Sequence, residues 1–450
     1  LLFEDGTRSG HPMPFAYPDR VQEVTDVDRA GKTIVGFFNG KLAPVLTALS
    51  ENTYMSAIRA GMVSIVPLTI IGGFFIIITE FPVSGWSKLI EPWAHFLRVP
   101  VKATFGLLAV FACFSIAYDF GKRLGQEAIV SASMATLVFL MIQLRLDDLA
   151  FEMDGLESKG LFTAILVALV SVRIQKWFSD KNLVIKLPRN VPEIVYESFV
   201  SLIPMFVLVV LFWLLRFVLG VDINRMVQTA ISPLVFALNT LPGILVYAFL
   251  VTLLWSVGIN GDNAMDAIVA PVFLQYLAEN VNAAMAGQPL PYVTALGFFT
   301  IFVNVGGTGA TIALALIMLN SKDPGYRKVS RLSLPTQIFG INEPIFFGFP
   351  IVLNPVLMIP YILNALVLTT GTYLLMHWNI IHRPFVNVPW TTPPVIGHYL
   401  VSGGDWKAAA WAVCSIGIAM VVYYPFAKIA ERQRLASPAD PGNETPQRPA

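Results

Sequence analysis

The sequence predicts an all-α, polytopic membrane protein of about ten transmembrane helices, with re-entrant hairpins and amphipathic interfacial helices. Three observations carry that expectation. Of 450 residues, 55% are hydrophobic and only 13% are charged, against about 25% charged in soluble domains. Mean hydropathy is +0.66, and uncharged runs approaching the roughly 20 residues needed to cross a bilayer recur along the chain. Several of those runs are broken by Gly and Pro, a pattern of discontinuous helices at membrane depth.

Taken in order, residues 1–30 are polar and proline-containing. No basic stretch leads them into an apolar core, so they do not read as a secretory leader. Residues 32–49 and 223–238 have mixed polarity and read as helices lying at the interface. Spans are expected at 60–79, 103–118, 128–144, 161–172 extended to about 177, and 198–215. A second set follows at 241–259, 292–303, 310–319, 350–376 and 408–426. The pattern changes near Gly220, from regular spans to segments rich in Gly, Pro and Asn. The chain therefore divides into a polar extension (1–30), an N-terminal membrane half (31–220), a C-terminal membrane half (221–429) and a disordered cytoplasmic tail (430–450). The second half is the better candidate for the working part.

Loop charge sets the expected orientation. Segment 145–159 is acidic and is placed outside. Segments 173–189 and 322–331 are basic and are placed inside, as are Lys428, Arg432 and Arg434. Both chain ends are then cytoplasmic.

The composition also excludes partners. A net charge of +1 argues against nucleic acid. Cys113 and Cys414 lie in apolar stretches, which disfavours a disulfide framework or a zinc cluster. The histidines are scattered, so no metal site is expected, and no cofactor motif is found. "GKT" at Gly31 to Thr33 would need a Gly where Asp26 stands to be a phosphate loop.

Four stretches stand out. Between Leu332 and His382 the only charged residue is Glu343, within "INEPIFFGFP". A carboxylate in hydrocarbon costs roughly 2.5–3.5 kcal/mol on insertion scales, so something must be gained by keeping it. "WSVGINGDN" breaks an apolar run at Gly258 and Gly261 and offers Trp255, Asn260, Asp262 and Asn263. These residues fit a ligand site, or a turn whose polar groups cap broken helices. "GGTGAT" brings Thr308 and Thr311 as ligand contacts, or as small residues at a helix interface. "VPWTTPPVIG" presents Trp390, which fits an interfacial belt or a platform for a ligand's apolar face. A Glu, several Asn and Thr, and two or three aromatic rings suit a polar, largely uncharged ligand such as a sugar.

These four motifs, in this order, resemble the membrane subunit (EIIC) of phosphotransferase-system sugar transporters, the lactose/cellobiose/diacetylchitobiose group in particular. The resemblance spans roughly residues 31–429. It implies a homodimer joined by N-terminal helices, with the disaccharide held by the C-terminal half. It implies uptake coupled to phosphorylation, the phosphate coming from a phosphocysteine on EIIB. Neither Cys113 nor Cys414 suits that role, so EIIB and EIIA are expected on separate chains. By the resemblance, Glu343 is the catalytic carboxylate at the hydroxyl to be phosphorylated, with Asn342 beside it. Trp255, Asn260, Asp262, Asn263, Thr308 and Trp390 complete the expected substrate-binding set. Asn260 stands where the family commonly has His, and Asn does not titrate near neutral pH. Burial is expected to ready Glu343 for proton acceptance. The alternatives are an ion-coupled secondary sugar transporter, with Glu343 or Asp262 carrying the ion, and, more weakly, an intramembrane enzyme acting on lipid.

Overall fold

The structure, a computed structural model, describes residues 52–79, 85–183, 185, 199–349 and 351–436. The expected extension at 1–30 and interfacial helix at 32–49 lie outside those residues. Nearly everything described is helical. The described residues contain no strand, only an isolated bridge between Leu144 and Phe151.

The N-terminal half begins with α1 (Thr53–Thr79), α2 (Trp86–Phe105), α3 (Leu108–Arg123), α4 (Ala128–Ile142) and α5 (Leu161–Asp180). α1 packs on α2 and α3, and α3 on α4 and α5. Small residues permit the close approaches, as expected where lipid offers no hydrophobic drive between helices. A Cβ on Gly121 of α3 would come within 2.6 Å of Ser131 Oγ on α4. That same Ser131 hydroxyl donates to Gln175 Oε1 of α5 at 2.6 Å, so three helices meet at one buried polar contact.

α6 (Leu202–Trp213) runs into a π turn at Leu214–Val218, and α7 (Ile223–Leu238) follows after a bend of 86°. Asp222 caps α7 by accepting from the Arg225 N–H at 3.0 Å. The sharp turn and its polar cap suit the amphipathic character read for 223–238.

α8 (Leu241–Ser256) and α9 (Gly261–Met285) form the first arm of the C-terminal half. Next come a π turn (Phe298–Val303), a 3₁₀ turn (Thr308–Ala310) and α10 (Ile312–Met318), with a 44° bend before α10. α11 (Pro324–Gln337), α12 (Glu343–Gly348), α13 (Pro355–His377), α14 (Pro394–Val401) and α15 (Trp406–Ala436) complete it. α13 packs on α8 and α15, while α10 and α14 also lie on α15. α1 reaches across to α9 and joins the two halves.

Among the described residues five helices are long and apolar enough to cross a membrane, or up to seven if each bent pair is one span. Ten were expected. The shortfall lies in the expected spans at 128–144, 198–215, 241–259, 292–303 and 310–319, which form short or bent helices in the structure. Several helices were not expected, α2, α9 and α11 the longest of them. The periodicity of α9 is masked by Asn263, Asp266, Gln275, Glu279 and Asn280, and the basic stretch 322–331, read as a loop, is largely α11. α15 also continues to Ala436, past the expected start of the tail at residue 430, because Glu431 is buried and bonded.

Candidate functional site

The breaks in the C-terminal half bring three of the four motifs into one hydrogen-bonded chain. α8 ends at Ser256, Gly258 turns the backbone at φ +87°, and α9 starts at Gly261. Asn260 is the N-cap, its Oδ1 accepting from the Asn263 N–H at 2.9 Å. That satisfies one of the donors a helix start leaves open. Asp262 is therefore free of the capping role. Its Oδ2 accepts from Trp255 Nε1 at 2.8 Å and from Thr308 Oγ1 at 3.3 Å.

Thr308 lies in the glycine-rich turn. Gly306, Gly307 and Gly309 all have positive φ (67°, 106° and 71°), a conformation that favours glycine. The Thr308 carbonyl accepts from Asn342 Nδ2 at 3.0 Å. Gly307 makes room for that contact: a Cβ there would fall on the Asn342 side chain. Trp255, Asp262, Thr308 and Asn342 thus form a continuous path from α8 through α9 and the glycine turn to α12. Trp255 also packs edge-on against Phe346 of α12, with ring centroids 5.3 Å apart.

The fourth motif arrives beside the third. Gly340 lies under Trp390: a Cβ would be 3.2 Å from the Trp390 carbonyl oxygen and 3.5 Å from its ring. Trp390 is exposed and, with Asn304, Gly306, Gly340 and Thr392, borders a small recess.

The structure corrects one expectation outright. Glu343 is not buried but exposed, while its neighbour Asn342 is only 5% exposed. α12 buries Ile345 and Phe346, while Glu343, in its first turn, stays exposed. Asn260 and Asn263 are also exposed. Asn260 works as a cap, and Asn263 contributes its backbone carbonyl, which accepts from Arg59 of α1 at 2.6 Å. Thr311 is fully buried and turned to the Gly306 carbonyl, whereas Thr308 points to Asp262. Sequence reasoning missed Phe346, Arg59 and Tyr361, whose ring a Cβ on Gly309 would strike. Phe346 had a signal, three residues after Glu343 on a helix; Arg59 had none. Among the described residues no group of three or more His, Cys, Asp or Glu is placed to hold a metal.

Long apolar helices, broken segments and a polar core built from their ends define a multi-pass membrane protein. Residues 59–365 match the family described as "Phosphotransferase system, EIIC". The putative permease IIC component YwbA of Bacillus subtilis (strain 168) is 36% identical over 421 residues, covering 88% of this chain and 94% of the relative. The cellobiose-specific EIIC component of Geobacillus stearothermophilus is 34% identical over 431 residues, covering 89% and 95%. Among solved structures, the transporter ChbC, the IIC component of an N,N'-diacetylchitobiose-specific phosphotransferase system, superposes with a TM-score of 0.84. It is 33% identical, and the match covers 89% of this chain and 98% of ChbC. The chain belongs to the phosphotransferase-system EIIC family. It is a sugar permease of the cell membrane.

Proposed function

We propose that this chain binds a β-linked disaccharide at the Trp255–Asp262–Thr308–Asn342 path and holds it for phosphorylation by EIIB. The observation that carries the reading is that path itself, because it fixes Asn342, and with it Glu343, against two other motifs. The names of the relatives support a disaccharide of the cellobiose or diacetylchitobiose kind. In this reading Asp262 is held by Trp255 and Thr308 and orients the polar wall. Asn342 and Glu343 meet the sugar hydroxyls, and Trp390 offers a face to a pyranose ring.

Glu343, exposed and in the first turn of α12, has room for a substrate hydroxyl. It orients that hydroxyl and accepts its proton as the oxygen attacks the phosphorus of the EIIB phosphocysteine. An O–P bond forms, the P–S bond breaks, and the cysteine leaves as a thiolate. The sugar phosphate is released inside.

The finer architecture belongs to the same proposal. The bent pairs and short helices act as broken spans and re-entrant hairpins that complete a set of about ten, with both chain ends cytoplasmic. The N-terminal half (31–220) carries the dimer contact, and the C-terminal half (221–429) carries the sugar. Asn263 is the most peripheral of the proposed substrate contacts, since its carbonyl already serves Arg59.

Glu343→Gln tests the reading. Gln keeps the size and loses the charge, so fold and sugar binding should survive while phosphorylation falls by about 100-fold or more, within the range for loss of a general base. Wild-type turnover in the purified variant refutes the role.

A further inference from the structure

Beyond the sugar site, the most buried acidic residue among those described is Glu431 near the end of α15, 4% exposed. A buried carboxylate is costly unless it is fully bonded, and this one is. Its Oε1 accepts from Ser321 Oγ at 2.6 Å and from the Lys322 N–H at 2.5 Å, and its Oε2 pairs with Lys428 Nζ at 2.9 Å. Three residues on, Arg434 Nε lies 3.3 Å from Asp323 Oδ1, and its guanidinium sits 4.5 Å over the Tyr326 ring. Gly325 leaves the slot for that guanidinium, since a Cβ there would be 2.7 Å from one of its nitrogens.

The loop so gripped is the start of α11. Asp323 caps that helix by accepting from the Tyr326 N–H at 2.7 Å. The Tyr326 ring stacks on Phe349, with centroids 4.4 Å apart and planes 19° from parallel. Phe349 is fully buried and directly follows α12, the helix that opens with Glu343. Glu431 and Arg434 therefore connect to the Glu343-bearing helix through Asp323, Tyr326 and Phe349.

We propose that Glu431 and Arg434 are positioning residues for sugar phosphorylation. The end of α15 fixes the Ser321–Asp323 loop and Tyr326, and through Phe349 it sets where Glu343 stands. The inference rests on the role given to Glu343 above. α12 is six residues, about 9 Å long, so a shift at its Phe349 end is carried to Glu343. Misplacement by about 1 Å costs about 100-fold in rate. Trp255, Asp262 and Thr308 lie on α8, α9 and the glycine turn, which Glu431 and Arg434 do not bond; α12 meets them through Asn342 and Phe346, while the Trp255–Asp262–Thr308 bonds are made without it. The grip should thus act on turnover more than on binding.

The experiment uses the full chain in proteoliposomes, with phosphorylated EIIB and cellobiose as the probe. It compares wild type, Glu431→Ala, Glu431→Gln and Glu343→Gln by cellobiose affinity, phosphorylation rate and hydrogen exchange. Glu431→Ala should speed amide exchange across residues 326–349 and lower kcat by at least about tenfold, with affinity held within about threefold. Glu431→Gln keeps an acceptor for Ser321 and Lys322 and should recover at least half of the rate. The proposal is overturned by unchanged exchange in 326–349, by faster exchange with unchanged kcat, by affinity and kcat falling together, or by Glu431→Gln as slow as Ala. Wild-type turnover in Glu343→Gln would instead remove the carboxylate role, while the exchange result would still report whether α15 holds α11 and α12.

Discussion

Replacing Gly307 by Ala puts a crowded contact at the centre of the site under load. Gly307 has φ 106° and ψ 163°, a region essentially closed to residues with a side chain and costing about 1–3 kcal/mol. The new Cβ would also lie 2.7 Å from Asn342 Cγ and 2.9 Å from Asn342 Nδ2. Asn342 is buried, and its bond to the Thr308 carbonyl at 3.0 Å is the link the methyl would break. A buried donor left open costs about 1–3 kcal/mol more. The total is about 2–6 kcal/mol, which must appear as lost stability, lost sugar affinity, or both. If the loop yields and Asn342 moves, affinity for cellobiose falls by about 30-fold or more, since 2 kcal/mol is roughly that factor. If the loop holds, the melting temperature drops instead. The assay is calorimetric binding together with thermal unfolding of the purified protein. Gly417→Ala is the control: nothing lies within 4 Å of its Cβ position, and Ala is favoured over Gly in a helix by about 1 kcal/mol. A Gly307→Ala protein that binds and melts like wild type would refute the account of the site.

Asp262→Asn turns the two charge-assisted bonds from Trp255 and Thr308 into neutral ones, a loss of about 1 kcal/mol each; cellobiose affinity should weaken by about 30-fold, and an unchanged affinity would remove Asp262 from the site. Lys328→Cys on the exposed side of α11 should react with a membrane-impermeant maleimide only from the cytoplasmic side; labelling of intact cells from outside would reverse the orientation. In vesicles with EIIB, its partners and phosphoenolpyruvate, an ionophore should leave uptake of phosphorylated sugar intact. An ion falling through 100 mV supplies about 2.3 kcal/mol per charge, so free sugar inside and uptake abolished by the ionophore would favour ion-coupled transport instead.

The parts legible in the sequence were those with a local signature. Apolar runs located α1, α3, α5, α13 and α15, and the polar turn after Trp255, read as capping broken helices, pointed to the start of α9, although the cap there is Asn260 and not Asp262 and the body of that helix was passed over. The chemical candidates Trp255, Asp262, Thr308 and Asn342 were read from three separate motifs, and their convergence depends on tertiary contacts that no spacing reveals. Burial was not legible for Glu343. A six-residue helix has too little periodicity to say which side faces inward, and Ile345 with Phe346 decided it. Arg59 is a case with no local signal, because its acceptor at Asn263 lies 204 residues away.

The distribution of polar groups explains why a second carboxylate does not make Glu343 redundant. Asp262 Oδ2 is shared by Trp255 and Thr308, and removing it would unpin two motifs at once. Asn260 is equally committed, because its Oδ1 caps α9 and leaves only the amide N–H groups to face a ligand. Those groups donate and cannot accept a proton, whereas a His, which the resemblance implies for the family at that position, could take either role. Asn342 directs its Nδ2 at the Thr308 carbonyl. Glu343 is then the group in this motif set with a carboxylate turned outward. In the proposed reaction, proton acceptance from the sugar hydroxyl falls to Glu343 alone, and this chain should depend on it more heavily than a relative that keeps a histidine.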